Sequence, residues 1–133
     1  MRWLASYFAA LVTICALDFA WLGYVARGFY RGELGPLLLE RPRWGAAALF
    51  YLMYAGGTLF FAVAPGAEHG TWLRTLVCGA LLGLVCYGTY DLSNLATLKG
   101  WSTTAVAVDM AWGIVVTALA AVAGHGALRA AGG

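Results

Sequence analysis

The chain has 133 residues, of which 62% are hydrophobic and 11% are charged, with a formal net charge of +2. A soluble domain carries about 25% charged residues, so this composition excludes an ordinary soluble protein and is typical of an integral membrane protein. The small charge is spread over connections and gives no basic surface, which argues against a nucleic-acid partner.

Long apolar runs predict one all-α domain, residues 1–133, folded as an integral membrane bundle of four transmembrane helices. The predicted spans cover approximately residues 3–26, 44–64, 72–99 and 103–128. Pro65 is expected to end the second span and Gly100 to stop the third, and Ser102 is the expected N-cap of the fourth. Tryptophan lies at the end of each span, as an aromatic belt predicts: Trp3, Trp44, Trp72 and Trp101.

The connections differ in length and charge. Residues 27–43 form the longest and predict a short interfacial helix broken by Pro36. Residues 65–71 and 100–102 are short enough to predict antiparallel helical hairpins. Five basic residues lie in the first and third connections (Arg27, Arg31, Arg41, Arg43, Lys99) and three on the opposite side (Arg2, Arg74, Arg129). The positive-inside rule then predicts a multi-pass protein of the inner (plasma) membrane with both termini on the non-cytoplasmic side.

Of the 14 charged side chains, 11 lie in connections or at span ends, and the remaining three, Asp18, Asp91 and Asp109, lie inside the predicted spans. Each carboxylate costs about 2.5–3.5 kcal/mol to place at the bilayer centre. Asp91 and Asp109 are nine residues before and after Gly100, so in a hairpin both lie about 13 Å below the turn. Asp18 lies about 12 Å below the same membrane face. The spacing therefore predicts that the three acids share one depth.

A four-residue pattern, Asp-x-Ala-Trp, occurs at Asp18–Trp21 in the first span and at Asp109–Trp112 in the fourth. Because these spans run antiparallel, the pattern predicts an inverted repeat that relates helices 1 and 4 by a pseudo-two-fold axis in the membrane plane. Repeats of this kind place binding sites at the repeat interface.

The aspartates and their polar and aromatic neighbours form the predicted ligand-binding site. Its members are Asp18, Trp21, Tyr87, Tyr90, Asp91, Asn94, Asp109 and Trp112. Carboxylates among aromatic rings suit an organic cation or amine, and closely spaced acids can also share protons. A divalent metal would take Asp18, Asp91, Asn94 and Asp109 as its oxygen ligands. The alternative is that the acids only hold the helices together through hydrogen bonds, as Gly79 and Gly83 are expected to do through close packing.

No sequence feature identifies a catalytic residue or a cofactor. The chain has no nucleophile elbow, HExxH, P-loop or dinucleotide-binding motif, so a non-enzymatic role is favoured. His69 and His125 are predicted near the membrane face opposite the aspartates and are expected at the interface rather than as metal ligands.

Several runs resemble the domain of unknown function 2177 family of bacterial membrane proteins. They are Leu17–Leu22, Phe29-Tyr30, Leu34-Gly35, Phe50-Tyr51, Tyr90–Trp101 and Asp109–Gly113. The resemblance covers about residues 4–125, and the YDLSNLATLKGW run at residues 90–101 is its most specific part. It implies four spans and a place in the bacterial envelope, where members accompany lipid-modifying enzymes. Ser93 and Ser102 depart from the family's usual Thr and Pro.

Three functions remain in competition. The first is binding of a small cation, proton or polar ligand by the three aspartates for transport or sensing, in a homo-oligomer. The second is a non-catalytic scaffold or subunit for an envelope or lipid-modifying enzyme, whose Arg or Lys would pair with the aspartates while residues 27–43 lie at the lipid headgroups. The third is an intramembrane lipid-modifying enzyme that uses two aspartates as acid and base or as metal ligands.

Overall fold

The computed structural model describes residues 1–132 and consists of helices joined by turns. The helices are α1 (Arg2–Ala20), α2 (Arg27–Leu34), α3 (Trp44–Thr58), α4 (Ala64–Glu68), α5 (Trp72–Thr97) and α6 (Thr103–Gly132). π-Helical turns at Trp21–Val25 and Leu59–Val63 extend α1 and join α3 to α4. Residues 1–132 contain no strand, and four continuous helical segments are long and apolar enough to cross a membrane. The predicted four-helix membrane bundle is confirmed.

α6 lies at the centre of the bundle and packs against both α1 and α5. Glycines let α5 and α6 approach closely, because a Cβ at Gly83 would overlap the backbone of Gly113. A Cβ at Gly79 would lie 2.9 Å from Ala121 Cβ. Lipid tails are as apolar as the helices, so small residues that permit close backbone packing are what hold membrane helices together.

The second span does not end at Pro65, as the sequence predicts, but continues through α4 to Glu68. A proline inside an α-helix clashes with the carbonyl four residues earlier and leaves it unpaired. The π-helical turn at Leu59–Val63 directly precedes α4 and widens the helix there, and Pro65 falls in the first turn of α4, where a missing N–H is tolerated.

The other boundaries lie close to the predicted ones. α5 ends at Thr97 instead of Lys99, and α6 continues to Gly132, beyond the predicted end at residue 128. The turn between them places Gly100 at φ +75°, a conformation that favours glycine. Ser102 caps the N-terminus of α6, as predicted, because its Oγ accepts a hydrogen bond from the Ala105 amide at 3.0 Å.

Residues 27–43 contain the predicted short helix, α2, and the turn at Gly35–Leu37 that includes Pro36 ends it. Tyr30 and Leu34 of α2 are buried against Ala105 of α6. The Ser102 hydroxyl also donates a hydrogen bond to the Glu33 carboxylate. α2 is therefore fastened across the end of the bundle that carries the first and third connections.

At the opposite end the two termini lie together. The Ser6 hydroxyl of α1 donates to the Gly124 carbonyl of α6 at 2.8 Å. His125, which the sequence predicts at the membrane interface, is instead only 3% exposed, and its Nδ1 is hydrogen-bonded to the Thr75 hydroxyl at 2.6 Å. His125 thus joins α5 to α6, whereas His69 is exposed in the turn before α5.

Candidate binding site within the membrane

Asp18 lies near the end of α1, three residues before the π-helical turn, and is 5% exposed. Its Oδ2 accepts a hydrogen bond from the Tyr51 hydroxyl of α3 at 2.7 Å. Its Oδ1 accepts one from the Trp112 indole N–H of α6 at 2.7 Å. Each oxygen of this buried carboxylate therefore has one donor, and the carboxylate connects three helices. π-Helical turns inside α-helices are frequent at functional sites.

Asp109 is held from the α2 side of the bundle. Its Oδ1 accepts a hydrogen bond from the Tyr30 hydroxyl at 2.9 Å, and that hydroxyl accepts one from the Trp21 indole N–H at 3.2 Å. Burial raises the pKa of Tyr30 above its ordinary value, so the hydroxyl keeps its proton at neutral pH and remains a donor to Asp109.

The two Asp-x-Ala-Trp segments exchange their hydrogen bonds. Trp112, from the second segment, donates to Asp18 of the first. Trp21, from the first, reaches Asp109 of the second through the Tyr30 hydroxyl. The two indole rings stack, with centroids 4.5 Å apart and planes at 6°. These reciprocal contacts bring α1 and α6 together at the depth of the acids, while the inverted repeat itself stays a prediction.

Asp91 lies behind Asp109, is 2% exposed, and its carboxyl is within hydrogen-bonding reach of the Asp109 carboxyl. The Asp91 Oδ2 atom is buried without a donor among the described residues.

A cavity of about 660 Å³ lies against this cluster. Asp18 and Asp109 line it, together with tyrosines from α3 and α5: Tyr51, Tyr54, Tyr87 and Tyr90. Leu22, Phe50, Met53, Val85, Cys86 and Thr89 complete the lining. Small-molecule sites typically enclose about 300–1,000 Å³ of mostly apolar surface with a few placed polar groups. The cavity has the size and the lining of such a site.

The structure brings most of the predicted site residues together but in three different positions. Asp18, Tyr87, Tyr90 and Asp109 line the cavity. Trp21, Asp91 and Trp112 are not part of the lining. Trp112 donates to the Asp18 carboxyl, and Trp21 donates to the Tyr30 hydroxyl. Asn94 is half-buried and is not part of the lining. Among residues 1–132, no group of three or more His, Cys, Asp or Glu side chains is placed to bind one metal ion.

Sequence reasoning missed three tyrosines that complete the site. Tyr30 and Tyr51 are the hydroxyl donors to Asp109 and Asp18. Tyr54 lines the cavity and its hydroxyl is hydrogen-bonded to Thr117 at 2.7 Å. Tyr30 and Tyr51 each follow a phenylalanine in a pair that carries the family resemblance, and this was the available signal.

Four apolar spans around a buried polar cluster define a multi-pass membrane protein. A family model described as Predicted membrane protein (DUF2177) matches residues 3–126. The chain therefore belongs to this family, whose function is unknown, and the resemblance seen in the sequence is confirmed. Comparison with curated proteins and with solved structures found no match.

Proposed function

We propose that this protein binds a small organic cation in the cavity, in a transport-like or sensing role. The observation that carries the proposal is that two carboxyls, Asp18 and Asp109, line a membrane-embedded cavity. Within residues 1–132 they receive hydrogen bonds only from neutral donors. The cavity thus combines negative charge with an open volume beside it.

The protein supplies no positive charge to this cluster among the contacts of the described residues. The donors are the hydroxyls of Tyr30 and Tyr51 and the indole of Trp112. All eight Lys and Arg residues lie in connections or near helix ends. A buried carboxylate without an opposite charge is expensive, and a bound cation would offset much of that cost.

The cavity lining favours an organic ammonium group over a metal ion. Tyrosine rings attract cations through their negative faces, and Tyr51, Tyr54, Tyr87 and Tyr90 line the cavity beside the carboxyls. A divalent metal would need several oxygen ligands converging on one point, and the described residues offer no such group. The aromatic walls and the separated carboxyls therefore support an organic cation.

The charge pattern supports a location for this site. With the arginine-rich residues 27–43 facing the cytoplasm, as the positive-inside rule favours, the acid cluster would lie in the cytoplasmic leaflet of the inner membrane. Four spans are few for a transport path through one chain, so a transport role would need a homo-oligomer.

Thermal unfolding of the protein in lipid nanodiscs tests the proposal with a panel of primary amines of short and long alkyl chain. We expect at least one amine to raise the Tm, because a ligand at 100 times its Kd stabilises a protein by about 2.7 kcal/mol. Asp18→Asn and Asp109→Asn should abolish the shift, and Glu40→Gln, which removes an exposed carboxylate, should keep it. The proposal is wrong if no amine in the panel shifts the wild type, or if both aspartate variants respond as the wild type does.

A further inference from the structure

We infer that the ligand is an amphiphile, an ammonium headgroup carrying an alkyl chain, and that it enters the cavity sideways from the hydrocarbon of the bilayer. This inference rests on the proposed cation site and adds to it the ligand class and the route of entry. Three features carry it: a lateral opening, a closed roof on the side of the nearer membrane face, and an apolar mouth in front of the carboxyls.

The opening lies between α3 and α5. α5 packs against the second span through Leu59–Val63 and α4 rather than through α3, so the two helices stand apart on the side of the acids. The cavity fills this gap. At its rim Met53 of α3 is 66% exposed, Val85 of α5 is 62% exposed and Tyr90 of α5 is 56% exposed. The cavity is therefore open at the side of the bundle.

The opening lies at hydrocarbon depth. Phe50 and Met53 follow the start of α3 at Trp44 by six and nine residues, which is about 9 and 13 Å along the helix. Tyr90 and Val85 precede the end of α5 at Thr97 by seven and twelve residues, about 10 and 18 Å. The hydrocarbon core is about 30 Å thick, so the mouth faces acyl chains and not water.

Access along the bundle axis from the nearer membrane face is closed by a roof cluster. Its buried members are Ala26, Tyr30, Leu34 and Ala105, and Trp21, Phe29 and Trp101 pack against them. The Tyr30 hydroxyl reaches down to Asp109, and the Trp101 ring packs edge-on against Tyr90 with centroids 5.8 Å apart. A water-soluble cation would have to displace this cluster, whereas a ligand dissolved in the bilayer would not.

The chemistry of the cavity changes from its mouth to its inner end. The exposed lining on α3 and α5 is mainly apolar, with Met53 and Val85, whereas Asp18, at the inner end, is 5% exposed. An alkyl chain leaving through the mouth would stay in contact with lipid, and an ammonium group at the inner end would meet the carboxyls. A free small amine lacks the chain and an alkanol lacks the charge, so this gradient favours a molecule with both.

Photolabelling tests the inference directly. The probe is dodecylamine with a diazirine near the end of its chain, added to liposomes of phosphatidylglycerol, whose headgroup has no amine. Specific labelling is the part that unlabelled dodecylamine removes. We expect it in the peptides that carry Met53 and Val85, and we expect neither dodecanol nor ethylamine to compete. Asp18→Asn and Asp109→Asn should weaken specific labelling at least about tenfold, since losing one charge of a buried pair is costly, while Glu40→Gln should not change it.

The outcomes separate the ligand class from the site itself. Competition by ethylamine as strong as that by dodecylamine would overturn the amphiphile and leave the cation site intact. Competition by dodecanol as strong as that by dodecylamine would show that the ammonium group is not recognised and would overturn both proposals. Absence of specific labelling at the two peptides would overturn the lateral route. Because the competition measurements use the wild-type protein, they stand even if an aspartate variant fails to fold, which helical circular dichroism of each variant would show.

Discussion

The hydroxyl of Tyr51 offers a sharp test of the acid cluster, because a single atom can be removed from it. This hydroxyl donates to Asp18 Oδ2 at 2.7 Å, and Asp18 is 5% exposed, so no solvent replaces the donor easily. Tyr51→Phe keeps the ring that lines the cavity and deletes the hydrogen bond alone. We expect the variant to fold and to be destabilised.

Hydrogen-bond contributions measured in soluble proteins and between membrane helices bracket the expected loss of unfolding free energy. Hydrogen bonds to charged groups contribute about 1.5–3 kcal/mol in soluble proteins. Between membrane helices the average is about 0.6 kcal/mol and the largest about 1.7, because the unfolded chain in the membrane also finds partners. A buried carboxylate acceptor places this bond at the top of the membrane range, so we expect Tyr51→Phe to cost about 1.5 kcal/mol.

A double-mutant cycle isolates the hydrogen bond from other effects of the substitution. In an Asp18→Asn background the acceptor is a neutral amide, and charge-assisted hydrogen bonds are roughly twice as strong as neutral ones. The Tyr51→Phe loss should therefore fall to about 0.7 kcal/mol there. Tyr24→Phe is the matched control, since Tyr24 is 87% exposed and its loss should stay within about 0.5 kcal/mol.

The assay is the free energy of unfolding in bicelles, measured by steric trapping with the same label positions in every variant. A coupling energy near zero between Tyr51 and Asp18 would refute the reasoning, because the hydroxyl would then not act through the carboxylate. A loss no larger than that of Tyr24→Phe would refute it as well.

Two further predictions concern packing and access. Gly113→Ala should lower the free energy of unfolding by at least about 1–3 kcal/mol, because a Cβ there would fall inside the Tyr87 ring. Gly126→Ala, on the same helix, meets open space and should raise it by up to about 1 kcal/mol. Equal unfolding free energies for the two variants would contradict the close crossing of α5 and α6. For access, a nitroxide is attached to Cys86, which lines the cavity, in a Cys15→Ala/Cys78→Ala background. In electron paramagnetic resonance the label should relax faster with oxygen than with a water-soluble nickel complex. The opposite order would show a water-filled cavity.

The sequence was sufficient to predict what depends on position along a helix. Composition and run length defined the spans, and a rise of 1.5 Å per residue placed the three acids at one depth. The structure has Asp91 beside Asp109, and Asp18 and Asp109 line the same cavity. Depth could be predicted because the hairpin at Gly100 fixes where α5 and α6 turn.

What the sequence could not provide is rotation about each helix axis and the contribution of peripheral elements. The sequence does not indicate which aspartate each tryptophan contacts. Trp112 of the second segment donates to Asp18 of the first, because antiparallel helices bring the segments side by side. Tyr30 and Tyr51 were not predicted as donors. A tyrosine near a membrane face is most often an interfacial residue, and only the tertiary packing of α2 and α3 turns these hydroxyls inward.

The distribution of the cluster over the bundle suggests how stability and binding are kept apart. The carboxyls and the stacked indoles lie on or directly after α1, α5 and α6, which pack against one another through the central α6. The hydroxyl donors to Asp18 and Asp109 come from α3 and α2, which lie at the side and the end of that core. A cation entering between α3 and α5 would meet carboxyls already positioned by the core. Its contacts with the carboxyls would add to, or replace, only the hydrogen bonds that these two hydroxyls donate. Losing a hydroxyl should therefore alter ligand affinity more than it alters the fold, while losing a glycine between α5 and α6 should do the reverse.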